Sequence, residues 1–188
     1  ISGGRADYDL LKNLYFVLKN ASKSFNSKFI VTGSHLSKSH GNTVNKILND
    51  KIKIFKKVDI KIKADTPHDI SKNIAIGVKA FSNLFKKRRP DLIIVLGDRY
   101  EIFSASIAAH IMSIPIGHIQ GGENTFGAID DAIRHSITKM ANLHFVANKI
   151  YKKRVIQLGE DPKNVFNVGG LGVDNIKVKD LFKKAEIE

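Results

Sequence analysis

Two short apolar runs, each ending in a glycine-and-acid loop, constrain this chain more than any other feature. Leu92-Ile93-Ile94-Val95-Leu96 is wholly apolar and bounded by Pro90-Asp91 and Gly97, which predicts a strand buried on both faces. Gly97-Asp98-Arg99-Tyr100-Glu101 follows, then a helical pattern from Ile102 to His110. Pro115-Ile116-Gly117-His118-Ile119 makes a second buried strand, which runs into Gln120-Gly121-Gly122-Glu123. Strands joined by a crossover helix in one sheet are parallel, so both acidic loops leave the carboxyl edge of that sheet. Open α/β folds bind their ligands at that edge.

The rest of the chain repeats the alternation. Ser2-Gly3-Gly4-Arg5 is a turn before a helix over 6–26 with Leu10, Leu11, Leu14, Val17 and Leu18 at helical spacing. Phe29-Ile30-Val31-Thr32 is a strand that delivers Gly33-Ser34-His35, and a short helix spans about 42–48. Residues 52–62 alternate Lys with Ile or Val, the pattern of an edge strand with one wet face. Thr66-Pro67 opens a helix with a cap and a proline in its first turn, and Lys86-Lys87-Arg88-Arg89 sits at the negative end of its dipole. Asp130-Asp131 heads a further helix, Leu143 to Val146 is a strand, Asn148 to Leu158 a helix closed by Gly159, and Val165 to Val168 the final strand. The pattern predicts a doubly wound parallel sheet of the Rossmann kind over 1–175, with 176–188 a linker or the start of another domain. The chain opens at Ile1 in a glycine-rich loop, so it reads as a fragment with a truncated first strand.

Lys and Arg number 31 against 18 Asp and Glu, a formal charge of +13, which raises the question of nucleic acid. The basic residues are spread over polar helix faces and wet strand faces. They are not interleaved with aromatics as a stacking platform would be, so a solvated surface accounts for them and nucleic acid is not expected as a partner. The uncharged run Ile102 to Gln120 carries three Ser, two His and a Pro, which predicts a helix and a strand rather than a membrane span. With no Cys there is no disulfide framework or thiolate metal site, which suits a cytoplasmic protein.

Asp98, Glu123 and Asp130 are brought by topology to one edge, across from Arg5. Paired carboxylates are useful because one can stay protonated as an acid while its neighbour is ionised as a base. Taken singly, each is better read structurally, Asp98 and Asp130 as helix caps and Glu123 as a solvated loop residue. Together with Arg5, Arg99, Arg134 and His135 in one crevice they form a candidate site. His35 beside Ser34 reads either as a substrate donor or as a loop-capping polar pair. No metal, P-loop or nucleophile-elbow spacing occurs, so neither metal nor cofactor is expected.

Six segments in order carry a resemblance: Gly4-Arg5-Ala6-Asp7-Tyr8, Val31 to His35, Val95 to Glu101, His118 to Glu123, Asp130 to Lys139, and Arg154 to Glu160. Together they resemble the hydrolysing UDP-N-acetylglucosamine 2-epimerases of sialic and legionaminic acid biosynthesis. The resemblance implies the amino-terminal half of a two-domain GT-B-type fold, a nucleotide-sugar substrate and a homo-oligomer, dimer or tetramer. It also implies anti elimination of the nucleoside diphosphate to a 2-acetamidoglucal, then addition of water to give N-acetylmannosamine. On it, Asp98, Glu123 and Asp130 are catalytic, while Arg5, Asp9, His35, Arg99, Gln120, Arg134 and His135 contact substrate. Gln120 stands where some members carry a catalytic Glu, which shifts proton traffic to Glu123 or Asp130. A GT-B glycosyltransferase, or a nucleotide-sugar-binding or nucleic-acid-binding module without chemistry, are the alternatives.

Overall fold

A computed structural model describes residues 1–62, 66–126 and 129–173. Its strands are β1 (Phe29–Thr32), β2 (Ile54–Val58), β3 (Ile93–Leu96), β4 (Ile116–Ile119), β5 (Leu143–Val146) and β6 (Val165–Asn167). The helices are α1 (Arg5–Asn20), α2 (Val44–Asn49), α3 (Pro67–Lys87), α4 (Tyr100–Ile111), α5 (Ile129–Met140) and α6 (Lys149–Gln157). Every strand pairing is parallel, β1 with β2 and β3-β4-β5-β6 in order. Ile1 and Ser2 lie between the two groups. The Ile1 nitrogen donates to the Ile94 carbonyl at 3.0 Å, Ser2 N donates to Ile30 O, and Thr32 N donates to Ser2 O. The strand direction of winding therefore reverses around residues 1–2, between β1 and β3. This is the switch point of a doubly wound sheet, where its loops splay apart and leave a crevice.

Side-chain alternation assigns the two faces. Ile93 and Val95 of β3 pack with α3, α4 and α5 through Phe81, Phe85, Ile102, Ala105 and Ile137, whereas Leu96 and Ile119 meet Leu11 of α1. β4 is buried along its whole length, as its apolar run requires. The α3–α4 crossing is close because Gly77 has no side chain: a Cβ there would stand 2.7 Å from the Ser104 Cβ.

Helix starts follow the capping residues. Thr66 Oγ1 accepts from Asp69 N at 3.2 Å with Pro67 at the first position of α3, and Asn148 Oδ1 accepts from Tyr151 N at 2.9 Å for α6. Two boundaries differ from the sequence pattern. α1 stops at Asn20, where Ala21 takes non-helical dihedrals and its carbonyl accepts from Ser24 and Phe25; the Ser- and Lys-rich stretch beyond offers no apolar face to hold a helix on the sheet. The strand expected over 52–62 pairs only from Ile54 to Val58, because Lys61 turns to φ 61° and its nitrogen bonds Asp59 Oδ1. Among the described residues it pairs with β1 alone, at the edge. Residues 63–65, 127–128 and 174–188 lie outside the described residues, the last range taking in the whole of 176–188, expected as a linker or the start of another domain.

Candidate active site

The carboxyl ends of β3 and β4 are drawn together by one arginine. Arg134, on the second turn of α5, is 7% exposed. Its Nη2 contacts the Asp98 carboxylate and donates to Thr125 Oγ1 at 3.1 Å, while Nη1 donates to the Gln120 carbonyl at 3.0 Å and approaches Glu123 Oε2 at 3.5 Å. A planar guanidinium suits this task, since its donors diverge in fixed directions. Burial pushes the Asp98 carboxyl above its ordinary pKa, the Arg134 charge opposes the shift, and the neighbouring Asp130 charge adds to it. Glu123 is raised in the same way by burial, against Arg134 and with the charge of Asp98. Gln120 holds a left-handed backbone, φ 63°, where its carbonyl accepts from Arg134. Such a conformation is uncommon outside glycine and tends to mark a functional turn.

Asp98 and Asp130 open onto a cavity of about 470 Å³ that Ser34, His40, Arg99 and Tyr100 also line, with Ile62, Ile70 and Ile129 as its apolar wall. Beneath Arg99 is a second buried acid. Glu101 has no solvent exposure and accepts from Arg99 Nε at 3.2 Å and Nη2 at 2.9 Å. The Arg99 guanidinium also lies over Gly4, 3.7 Å from where a Cβ would stand. Gly33 is needed at this junction. It has φ +60°, and a Cβ would meet Gly3 O at 2.5 Å and Glu101 Oε1 at 2.6 Å. Asp7, in the first turn of α1, reaches back to accept from Gly3 N at 3.0 Å and Gly4 N at 3.2 Å, and burial lifts its pKa to about 6.

The family model for UDP-N-acetylglucosamine 2-epimerase matches residues 18–188. The chain belongs to the UDP-N-acetylglucosamine 2-epimerase family. Among curated relatives it is 43% identical, over its whole length, to the "GDP/UDP-N,N'-diacetylbacillosamine 2-epimerase (hydrolyzing)" of Campylobacter jejuni, of which it covers 48%. It is 36% identical over 98% of its length to the corresponding UDP-linked enzyme of Legionella pneumophila, covering 50% of that protein. The chain thus spans about half the length of the curated relatives it matches. In fold it is similar to the UDP-N-acetylglucosamine 2-epimerase of Neisseria meningitidis crystallised with UDP-GlcNAc, at TM-score 0.79 and 20% identity over 92% of this chain and 46% of that one. The Methanocaldococcus jannaschii enzyme, in complex with UDP-GlcNAc and UDP, gives 0.78 and 14% over 99% and 51%.

Against this family background the expected site residues separate into groups. Asp98, Asp130 and Arg99 share the cavity, and Glu123 and Gln120 join Asp98 through Arg134, itself expected as a substrate contact but committed here to four protein partners. Arg5 is exposed at the start of α1 and does not line the cavity. His135 lies 3.7 Å from Asp131 Oδ2, one helical turn back. Asp9 pairs with Lys46 of α2. His35, expected either as a substrate donor or as a loop-capping pair with Ser34, neither lines the cavity nor bonds Ser34, whose hydroxyl donates to the Gly3 carbonyl instead. His35 is fully buried, with Ser2 Oγ and Thr43 Oγ1 each 2.8 Å from a ring nitrogen, because the 3-10 turn Gly33–Leu36 folds it inward.

Sequence reasoning did not single out Asp7, Glu101, Thr125 or Arg154. The signal for Asp7 was available, an acid at the third helical position after two glycines. Glu101 carried none, since its burial follows from the approach of Gly3 and Gly33. Arg154 of α6 donates to the Gly122 carbonyl, and Gly122 itself has φ +78° with a notional Cβ 2.6 Å from the Tyr151 carbonyl, so α6 supports the Glu123 loop from behind.

Proposed function

We propose that the complete protein is a hydrolysing nucleotide-sugar 2-epimerase. It removes the C2 proton and the C1 diphosphate of UDP-N-acetylglucosamine, or of a related nucleotide sugar with a further acetamido group, by anti elimination. Water then adds to the 2-acetamidoglucal to release the manno sugar and the nucleoside diphosphate. The observation that carries this reading is the convergence of Asp98 and Asp130 with Arg99 on one cavity, in a member of this family. Removing a C2 proton calls for a carboxylate whose basicity is raised by partial burial, as at Asp98 and Glu123. Expelling a diphosphate calls for positive charge where negative charge develops, which Arg99 on the cavity wall offers. The diacetylbacillosamine substrates named for the Campylobacter and Legionella relatives favour the doubly acetamido sugar. Soluble, nucleotide-sugar-dependent and oligomeric action in the cytoplasm belongs to the same reading.

The test uses the complete protein in D₂O with UDP-N-acetylglucosamine and with UDP- and GDP-linked N,N'-diacetylbacillosamine, without any acceptor. Free manno-configured sugar carrying deuterium at C2 in every turnover is expected. Product of unchanged configuration with hydrogen at C2, or turnover only when an acceptor is added, overturns the reading in favour of a glycosyltransferase.

A further inference from the structure

His118 has no place among the groups that reach the cavity, yet it is buried completely at the base of the site. It stands on β4 between the two elements that carry Asp98 and Arg134. Its Nε2 lies 2.8 Å from the Gly97 carbonyl, the residue immediately before Asp98, and its Nδ1 lies 3.1 Å from Thr138 Oγ1 on α5. A carbonyl can only accept, so Nε2 carries the ring hydrogen and Nδ1 is the bare nitrogen. The Thr138 hydroxyl is also 3.0 Å from the carbonyl of Arg134, one turn back. One hydroxyl hydrogen therefore serves both Nδ1 and the Arg134 carbonyl.

The result is a second, backbone-level tie parallel to the side-chain contact of Asp98 with Arg134. It runs from Gly97 O through the imidazole and Thr138 to Arg134 O. Gly121 closes over it, since a Cβ there would stand 3.1 Å from both His118 Nδ1 and Thr138 Oγ1. Burial holds the ring neutral, with its pKa pushed down to about 3, so the ring hydrogen stays on Nε2 throughout the ordinary pH range.

We infer that His118 is a positioning residue: a rigid spacer that fixes the separation between the Gly97-Asp98 corner and the Arg134 turn, and through it the state of the Asp98 carboxyl. The spacing matters because Arg134 opposes the rise that burial imposes on Asp98. A loosened corner weakens that opposition, leaving Asp98 protonated to higher pH and misplaced relative to a bound sugar. This rests on the 2-epimerase reading for its kinetic consequence but not for its effect on Asp98.

The experiment uses the complete protein as wild type and as His118→Phe, His118→Gln and Thr138→Val. The Asp98 carboxyl is followed by carbon-13 NMR as pH is varied, with no ligand present, and kcat and KM are measured separately on the nucleotide sugar that the wild type turns over. Phenylalanine keeps the ring and removes both bonds. The Asp98 pKa is expected to rise by about one unit and kcat to fall about a hundredfold, with KM changed less than about threefold. Glutamine restores a donor toward Gly97 O and is expected to recover about tenfold of that loss. An Asp98 titration unchanged in a folded His118→Phe protein, or a kcat that falls only in proportion to the folded fraction, overturns the inference. If the Phe variant does not fold, the near-isosteric Thr138→Val, at the far end of the same tie, must move the Asp98 titration upward or the inference fails. A wild type without turnover sinks the epimerase reading alone, since the ligand-free titration still decides the role of His118.

Discussion

Asp98 meets Arg134 with 18% of its side chain open to solvent, against 8% for the arginine, so the carboxylate faces the cavity while its counter-charge stays behind it. That arrangement separates the two jobs of the pair. The acid opens onto the cavity, and the guanidinium is turned into the protein.

Asp98→Asn keeps the shape of the corner and removes the proton acceptor. In the complete protein kcat is expected to fall about a thousandfold, with a much smaller change in melting temperature because Glu123 still balances Arg134. Rates and thermal melts on the same sample check this. Activity near wild type together with a lowered melting temperature would mean that Asp98 is only a structural partner.

Arg134→Ala leaves Asp98 and Glu123 facing each other without their shared cation. A loss of about 3 to 5 kcal/mol is expected at neutral pH, as when one partner of a buried pair is removed. Part of it should return as pH is lowered and the two acids protonate. Urea denaturation at pH 7 and pH 5 measures both.

Asp7 has a folded pKa raised to about 6 from 3.8, so the folded protein keeps a proton that the unfolded chain has already released. Stability from this group is present below pH 3.8 and declines as pH climbs to 6, by about 3 kcal/mol in all. Asp7→Asn, whose amide oxygen can accept the same two backbone bonds, is expected to stabilise the protein above pH 6 and to give no such gain near pH 4. Chemical denaturation across that range tests the sign.

His35 behaves oppositely. Its pKa is lowered to about 4 from 6.5 by burial, so it stays neutral in the fold and takes up a proton on unfolding in acid. The protein should lose about 2 kcal/mol from this group between pH 6.5 and pH 5, and His35→Gln should flatten that part of the pH–stability curve. A slope unchanged by the substitution would exclude His35 as its source.

Gly122→Ala is expected to cost about 1 to 3 kcal/mol or more, because φ +78° disfavours a side chain and the methyl would collide with the Tyr151 carbonyl. Glu123 follows directly, so activity should fall further than stability alone explains. A melting temperature within a degree of wild type would show that α6 yields to the methyl.

Much of this architecture can be read from local pattern. The β3–α4–β4 unit, the Thr66 cap and the edge position of β2 depend on neighbours a few residues apart, and periodicity and cap chemistry report such neighbours well. Asp98 and Asp130 follow from topology, since parallel strands deliver their loops to one edge. The role of Arg134 does not. Its four partners lie between 9 and 36 residues away, and no spacing rule distinguishes a guanidinium turned toward protein carboxylates from one turned toward a ligand. His35 eluded the pattern for a related reason: a 3-10 turn of four residues decides whether its ring points to the cavity or the core.

The contact between Gly77 and Ser104 bears on what the cavity can admit. Ile70, two turns before Gly77 on α3, and Tyr100, one turn before Ser104 on α4, stand on the cavity wall. With the two helix backbones nearly touching, the distance between those wall residues is gauged at a point that no substrate reaches. A lineage of these proteins that needed a roomier mouth gains it by enlarging residue 77 or 104 and prising the helices apart, while one that needed a tighter mouth can trim only Ser104, since residue 77 is already the smallest there is.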